Sequence, residues 1–379
     1  MIKIIADENI PYVREAFEAL GNVQTVAGRA ITHDMLQDAD VLLVRSVTRV
    51  NRQLLAGTKV RMVATATIGT DHIDQGFLIQ AGISFSSAAG CNSNSVAEYI
   101  TAALLTLGNR KGFSLTGKSI GVVGVGNVGT KVVDKCSRLG MRIYKNDPPL
   151  KDLTGSDEYC EIDDFIESVD FVTLHVPLTT DGLYPTFHLA DDTFIGRMKS
   201  SAFLLNTSRG KVVDGDALKS AISDKKIAGG VLDVWENEPD IDISLLRLVV
   251  LGTPHIAGYS FDGKVCGTDM IYQAVCKFLN IKPLWNSKSI MPAPPVPNLR
   301  VDGSFDLHSI IKKIYDIESD DANLRKIIQA DPHQRAKYFD SLRKNYPVRR
   351  EFYNTNICFD YNPDAKFRRT LEGIGFKIC

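Results

Sequence analysis

Ser119-Ile-Gly-Val-Val-Gly-Val-Gly-Asn-Val-Gly129 is the stretch that decides the fold. Its apolar residues 120–123 indicate a buried parallel strand, and Gly124, Gly126 and Gly129 follow with the spacing G-x-G-x-x-G. In dinucleotide-binding folds the first glycine permits a tight turn, the second lets a pyrophosphate approach the backbone, and the third allows the helix to pack closely on the strand. Free N–H groups at the start of that helix attract the phosphates. The stretch therefore predicts a Rossmann βαβ unit.

A second apolar strand, at residues 141–144, follows the glycine-rich turn and leads into Asp147. An acidic residue about 20 positions beyond the glycines is the partner that a ribose 2′-hydroxyl requires. Pro148, Pro149 and Leu150 come next, so no cation stands there for the 2′-phosphate of NADP. The pattern therefore predicts NAD as the cofactor.

Composition narrows the class of protein. A chain of 379 residues is long enough for two or three domains. It has 44 Lys plus Arg against 45 Asp plus Glu, and this near-neutral charge argues against nucleic acid or an anionic membrane as a partner. The seven cysteines show no C-x-x-C pair, so we expect free thiols and no metal site. The first residues lack a signal-peptide core, and the most apolar helix, residues 96–107, is too short to span a bilayer, so we expect a cytoplasmic protein.

The order of apolar segments predicts the domain organisation. Short apolar strands alternate with helices at the start of the chain, at residues 2–6, 23–26, 41–44, 61–66 and 83–86. A long helix then leads into six further strands, and a proline-rich segment at 283–296 precedes a helix-led tail. We therefore predict an α/β protein with two doubly wound parallel sheets and a small α+β domain. The domains are a flavodoxin-like substrate domain at 1–91, a Rossmann NAD domain at 92–282 and a C-terminal domain at 283–379.

Three ionisable residues follow strands of the second domain, namely Arg209, Glu238 and His255. Because parallel strands end at the same edge of a sheet, these residues can converge beside a nicotinamide. A histidine is the natural acid/base near neutral pH, and Glu238 would pair with it and orient it. Arg209 would bind a substrate carboxylate. Each residue alone is more often a surface charge or a helix cap, but the three together favour hydride transfer at a carbinol carbon.

The chain resembles the D-isomer-specific 2-hydroxyacid dehydrogenase family over residues 1 to 285. The matching stretches are Ala64-Thr-Ala-Thr-Ile-Gly-Thr-Asp-His-Ile-Asp74, the glycine-rich turn, His175-Val-Pro-Leu-Thr179, Asn206-Thr-Ser-Arg-Gly210, Leu232-Asp-Val-Trp-Glu-Asn-Glu-Pro239 and Thr253-Pro-His-Ile-Ala-Gly258. The resemblance implies that Arg209, Glu238 and His255 are the catalytic residues. It assigns cofactor contacts to Gly124, Gly126, Asn127, Val128, Gly129, Asp147, Val176, Thr207, Ser208, Arg209, Asp233 and Gly258.

Other stretches resemble a subgroup of this family that oxidises a phosphorylated four-carbon 2-hydroxy acid in vitamin B6 biosynthesis. They are Leu43-Val-Arg-Ser-Val-Thr48, Asn146-Asp-Pro-Pro149, Pro254-His-Ile-Ala-Gly-Tyr-Ser260 and Tyr346-Pro-Val-Arg-Arg-Glu351. The resemblance implies substrate contacts from Ser46, Thr67 and Tyr259, and a homodimer formed through the C-terminal domain. The chain departs from the subgroup at Leu150, where an arginine is frequent, and at Val176, where a small polar residue is common.

The phosphate of such a substrate requires a cationic pocket. Arg45 directly follows a buried strand, and its forked guanidinium suits a phosphate or carboxylate. Arg349 and Arg350 are further candidates, reaching a neighbouring subunit's site if the C-terminal domain is exchanged across a dimer.

Two alternative functions stay open. In the first, the chemistry is the same but the substrate is 3-phosphoglycerate or another 2-hydroxy acid. Enzymes of that type often end in a βαββαβ regulatory domain, which the helix-led tail does not resemble. In the second, the chain is a non-catalytic NAD-sensing protein built on this fold, because such proteins can retain the three ionisable residues and the sequence does not separate them from enzymes.

Overall fold

A five-stranded parallel sheet forms from the first residues of the chain, in the computed structural model that describes residues 1–379. Its strands are Ile2–Asp7 (β1), Gly21–Val26 (β2), Val41–Val44 (β3), Met62–Thr65 (β4) and Ser84–Ser87 (β5), and its helices are Val13–Phe17 (α1), His33–Leu36 (α2), Arg52–Leu55 (α3) and Gln75–Gln80 (α4). The order β2-β1-β3-β4-β5 is the flavodoxin-like arrangement that was expected. Strand β3 has its predicted bounds, and all four of its residues are buried because helices cover both faces of the sheet.

A six-stranded parallel sheet follows. Its strands are Ser119–Val123 (β6), Arg142–Asn146 (β7), Phe171–Leu174 (β8), Phe203–Asn206 (β9), Gly229–Leu232 (β10) and Leu251–Gly252 (β11). The helices of this region are Ser93–Lys111 (α5), Asn127–Arg138 (α6), Pro148–Thr154 (α7), Asp192–Gly196 (α8), Gly215–Ser223 (α9), Ile243–Leu248 (α10) and Phe261–Phe278 (α11).

The strand order of this second sheet is β11-β10-β9-β8-β6-β7, and a parallel bridge from Lys145 to Tyr159 adds a rudimentary strand outside β7. With that bridge included, the order is that of the Rossmann fold with one further strand at the far edge. The strand order reverses between β6 and β8, and ligands of such sheets bind beyond the carboxyl ends of the strands at that point. The predicted α/β class with two doubly wound sheets is confirmed.

The C-terminal region contains a small parallel sheet of order β12-β13-β14. Its elements are Asn298–Val301 (β12), Leu307–Ile314 (α12), Ile317–Arg325 (α13), Arg335–Lys344 (α14), Asn356–Phe359 (β13), Ala365–Ile374 (α15) and Lys377–Ile378 (β14). A strand therefore leads this region, and the expectation of a helix-led tail is wrong. The reason is that β12 is short and half-exposed, with only Val301 fully buried, so its apolar signal is weak.

The expectation that all seven cysteines are free thiols is also wrong. Cys358 and Cys379 are joined in a disulfide, whereas the other five cysteines are free. The register of β13 and β14 pairs Ile357 with Ile378. Cys358 and Cys379 each follow one position later, so they lie side by side. A separation of 21 positions in the sequence does not reveal that pairing.

Packing groups the chain into two compact units, Met1–Asn92 with Ser260–Ala293 and Ser93–Tyr259 with Pro294–Cys379. Helix α11 packs within the first unit, where Tyr272 lies edge-on to Phe17 with ring centroids 5.5 Å apart. In the sequence this helix follows the Rossmann strands directly, and the pattern alone groups it with them. The functional boundaries after residues 91 and 282 stay predictions.

In the second unit, the C-terminal elements share one apolar core with α5 and the Rossmann sheet. Ile310 and Ile374 pack in the same core as Leu104 and Ile120, and all four are fully buried. Residues 294–379 are therefore supported by the NAD-binding sheet, and side chains of α14 come close to its loops. None of the helices in the structure combines the length and the apolar character that a membrane crossing requires.

Candidate active site

The glycine-rich turn lies between β6 and α6, and its three glycines have different surroundings. Gly124 has a φ of +85°, and a Cβ there would lie 2.7 Å from the carbonyl oxygen of His175. At Gly129 a Cβ would lie 2.0 Å from the carbonyl oxygen of Gly124, so strand and helix meet there as predicted. A Cβ at Gly126 would meet no heavy atom within 4 Å. The space over the middle glycine is therefore open to a ligand at the start of α6.

Asp147 connects this turn to the end of β7. One carboxylate oxygen accepts a hydrogen bond from Val125 N at 2.8 Å, and the other accepts one from Leu150 N at 3.1 Å and so caps α7. Each oxygen keeps acceptor capacity, because a carboxylate has about four lone-pair directions. The open space over Gly126 and the acidic end of β7 together fit an NAD molecule bound through its pyrophosphate and ribose.

The predicted cofactor contacts all lie at the carboxyl edge of the second sheet. After β6 stand Gly124, Gly126, Asn127, Val128 and Gly129, after β7 Asp147, after β8 Val176, after β9 Thr207, Ser208 and Arg209, after β10 Asp233, and after β11 Gly258. The structure therefore brings these residues to one edge, although their individual contacts with cofactor stay predictions.

His175 follows β8 at the same edge, and the sequence patterns assign it no role. Its Nε2 is 2.9 Å from Thr173 Oγ1, and its Nδ1 is 3.2 Å from Thr207 Oγ1. Burial lowers the pKa of His175 to about 3, so the ring is neutral and cannot act as a cation towards a phosphate. The ring connects the end of β8 to the loop after β9. Its place in the stretch His175-Val-Pro-Leu-Thr179 marked it as part of the family pattern, but the contact with Thr207 is visible only in the structure.

Glu238 and His255 form a hydrogen-bonded pair. Nδ1 of His255 lies 2.7 Å from Oε2 of Glu238, and Oε1 of Glu238 accepts a hydrogen bond from Trp235 N at 2.8 Å. Burial alone would raise the pKa of Glu238, but the charge of His255 and these hydrogen bonds outweigh it and hold the pKa below its ordinary value. Because an ionised carboxylate only accepts hydrogen bonds, Nδ1 carries the proton and Nε2 is left to accept one from a substrate. The side chain of His255 is 33% exposed.

The backbone that presents His255 is held by Asp233. His255 has a φ of +57°, a left-handed conformation that is uncommon for residues other than glycine. The carboxylate of Asp233 accepts hydrogen bonds from Thr253 Oγ1 at 2.6 Å, Ile256 N at 2.8 Å and Ala257 N at 2.9 Å. The carbonyl oxygen of Asp233 also accepts one from His255 N at 2.7 Å. Asp233, predicted as a cofactor contact, therefore also fixes the loop on both sides of the histidine.

The loop that carries Arg209 touches the loop that carries Glu238. A Cβ at Gly210 would lie 1.9 Å from the carbonyl oxygen of Trp235, so only glycine permits this approach. Trp235 Nε1 in turn donates a hydrogen bond to the carbonyl oxygen of Thr253 at 2.9 Å. The loops after β9, β10 and β11 are therefore joined, and the three predicted catalytic residues lie on them.

Tyr259 and the two C-terminal arginines lie in the same unit. Tyr259 packs edge-on to Tyr346, with ring centroids 5.9 Å apart. Arg349 is buried and donates hydrogen bonds to Ser95 Oγ and, at 2.8 Å, to the carbonyl oxygen of Ala257. Arg350 is also buried, and its Nη2 donates to Asn354 Oδ1 at 2.8 Å. Both guanidinium groups thus have partners within their own unit, although Nε and Nη1 of Arg349 are buried without a hydrogen-bond partner. Their contact with substrate stays a prediction.

The remaining predicted substrate contacts lie at the carboxyl ends of β3 and β4 in the first unit. Arg45 donates a hydrogen bond to the carbonyl oxygen of Asn9 at 2.9 Å. Ser46 is exposed in the turn after β3. Thr67 donates to the carbonyl oxygen of Gly69 at 3.1 Å. They share the ligand edge of the first sheet, as the strand order predicts.

Comparisons with known proteins agree with this geometry. The family model described as "D-isomer specific 2-hydroxyacid dehydrogenase, NAD binding domain" matches residues 98–257, and the model "Domain of unknown function (DUF3410)" matches residues 290–375. Among solved structures, D-lactate dehydrogenase from Aquifex aeolicus complexed with NAD and lactic acid superposes with a TM-score of 0.62 at 25% identity, covering 73% of this chain and 95% of that chain. The NAD-dependent formate dehydrogenase from Staphylococcus aureus has a TM-score of 0.62 at 23% identity, covering 75% of this chain and 98% of that chain.

Curated relatives match over nearly the whole chain. Erythronate-4-phosphate dehydrogenase of Enterobacter sp. (strain 638) is 43% identical, covering 99% of this chain and 98% of the relative. The protein of the same name from Cronobacter sakazakii is 42% identical with the same coverage. The predictions of an NAD cofactor and of an oxidoreductase are confirmed. The chain therefore belongs to the D-isomer specific 2-hydroxyacid dehydrogenase family, in the group that contains these erythronate-4-phosphate dehydrogenases.

Proposed function

We propose that the chain oxidises 4-phospho-D-erythronate at C2 to 2-oxo-3-hydroxy-4-phosphobutanoate, as a step of pyridoxal phosphate biosynthesis. The observation that carries this proposal is the Glu238–His255 pair, 2.7 Å apart at the ligand edge of a Rossmann sheet. The identity of 43% to an enzyme named for this substrate, over 99% of the chain, supports the choice of acid.

The chain's own residues supply binding and proton transfer. Nε2 of His255 accepts the proton of the C2 hydroxyl, and the ionised Glu238 stabilises the imidazolium that results. Arg209 binds the C1 carboxylate through its forked guanidinium and polarises the C2 oxygen. NAD, held over the glycine-rich turn and beside Asp147, would supply the hydride acceptor for C2. The substrate thus loses one hydride and one proton, and C2 becomes a ketone.

Substrate contacts complete the proposal. Ser46, Thr67 and Tyr259 contact the acid, and Arg45 is a candidate for its phosphate or carboxylate. Arg349 and Arg350 remain candidates as well, although each already has partners in its own unit.

The position of oxidation can be tested with a labelled substrate. With 4-phosphoerythronate deuterated at C2, we expect the deuterium to appear in the reduced cofactor and the product to be a 2-ketone, measured by mass spectrometry and NMR. Deuterium retained in the product would mean that another carbon is oxidised and would contradict the proposal.

We also propose that the protein is a cytoplasmic homodimer formed through residues 283–379. Large apolar side chains are exposed in this region, including Leu284 at 79%, Val348 at 47% and Tyr353 at 43%, and covering them with a second copy of the chain would remove apolar surface from water. Sedimentation equilibrium is expected to give twice the mass of the 41.8 kDa chain. A concentration-independent monomer would contradict this part of the proposal.

A further inference from the structure

Helix α14 of the C-terminal region directs one arginine towards the catalytic loops. Arg335, Phe339 and Arg343 are spaced four residues apart and so lie along one face of the helix. Phe339 is fully buried and anchors this face in the core that also contains Trp235. Arg343, one turn further on, lies with its guanidinium 5.7 Å from the ring centroid of Tyr259.

The surroundings of Arg343 keep it charged and leave part of it without a partner. Burial alone would lower the pKa of Arg343, but Tyr259 and the charge of Glu238 outweigh burial and raise it. The charge of Arg343 in turn contributes to the lowered pKa of Glu238. Nε of Arg343 is buried and has no hydrogen-bond partner. A cation is therefore held within electrostatic reach of the Glu238–His255 pair, with a buried donor unused.

We propose that Arg343 binds the phosphate group of the substrate. This inference rests on the proposed function, in which Arg209 is occupied by the carboxylate, and it adds Arg343 to Arg45, Arg349 and Arg350 as a cation for the dianionic phosphate. A guanidinium presents a fork of donors that matches phosphate geometry. Arg343 lies within the region matched by the DUF3410 model and outside the NAD-binding model, so the inference gives that region a role in substrate selection.

The test compares two acids that differ only in the phosphate. Dissociation constants for 4-phosphoerythronate and D-erythronate are measured with NADH bound, so that no turnover occurs. The acid that binds more weakly is measured by its competition with the other. Because Arg343→Ala removes a charge-assisted contact, it is expected to weaken the binding of 4-phosphoerythronate by roughly 10- to 100-fold and the binding of D-erythronate by less than about threefold. Arg343→Lys keeps the charge and loses the paired donors of the guanidinium. It is expected to weaken the binding of only the phosphorylated acid, by several-fold.

Lys344→Ala is the matched control, because it removes one positive charge from the next, exposed position of the same helix. It is expected to change neither constant. Equal weakening of both acids, or of neither, in Arg343→Ala or Arg343→Lys would overturn the inference. Wild-type protein that neither binds nor oxidises 4-phosphoerythronate would instead overturn the proposed function, so the two failures are distinguishable.

Discussion

Replacing Glu238 with glutamine tests whether the charge beside His255 drives proton transfer. Glutamine keeps the size of the side chain but removes the ionised oxygen that lies 2.7 Å from His255 Nδ1. A hydrogen bond to a charged group contributes about 1.5–3 kcal/mol. A loss of about 2 kcal/mol at the transition state corresponds to a kcat about 30-fold lower. KM is expected to change little, since in the proposed mechanism Arg209 and not Glu238 binds the carboxylate.

The assay is NADH formation from 4-phosphoerythronate between pH 6 and 9. Because the pKa of Glu238 is lowered from 4.5, its carboxylate is ionised at every pH above 4.5. The effect of its charge on His255 is lost only as the pH falls through the lowered pKa. Glu238 is therefore ionised over the whole measured range, and the loss in kcat is compared at the alkaline plateau of each protein's pH profile. Glu236→Gln is the control, because it removes the same charge from the same loop at a side chain that lies 2.8 Å from His188 Nε2 instead. Equal kcat in wild type and Glu238→Gln, or equal losses in both variants, would refute the reasoning.

Two further predictions concern the cofactor turn and a buried acid. Gly126→Ala is expected to leave Tm unchanged and to weaken NAD binding about tenfold or more, because the added Cβ would meet only the space left for the ligand. Gly129→Ala is expected to lower the free energy of unfolding by about 1–3 kcal/mol, because its Cβ would meet the backbone of Gly124. NAD titration and thermal unfolding measure the two effects, and a destabilised Gly126→Ala would contradict the first. Burial, followed by the charge of Glu351, raises the pKa of Glu98 from 4.5 to about 8. The contribution of protonated Glu98 to stability is therefore complete below about pH 4.5 and is lost as the pH rises through about 8. Glu98→Gln, which stays neutral, is expected to raise Tm at pH 9 and not at pH 5. Parallel profiles of Tm against pH for variant and wild type would contradict this.

Much of the fold was predictable because strands buried on both faces have continuous apolar runs. Val41–Val44 was predicted with its observed bounds for this reason. The edge shared by Arg209, Glu238 and His255 was also predictable, since parallel strands end together. The pairing of Glu238 with His255 is observed as expected, but their roles in catalysis stay predictions.

Other features depend on packing that local sequence does not reveal. Strand β12 is short and half-exposed, so its pattern is weak. The partner of α11 depends on which sheet receives its apolar face, and the Cys358–Cys379 disulfide depends on strand register. Arg343 stands beside Lys344 in the sequence, and only the burial of Phe339 one turn earlier decides which of the two faces the catalytic loops.

The most direct test of the account is NAD reduction at saturating cofactor, with 4-phosphoerythronate and 3-phosphoglycerate measured side by side. The account predicts a clear preference in kcat/KM for the four-carbon acid. A preference for 3-phosphoglycerate would leave the fold and the Glu238–His255 pair in place but contradict the proposed substrate. If the protein binds NAD but forms no NADH from either acid, that result would contradict an enzymatic function and favour an NAD-sensing role.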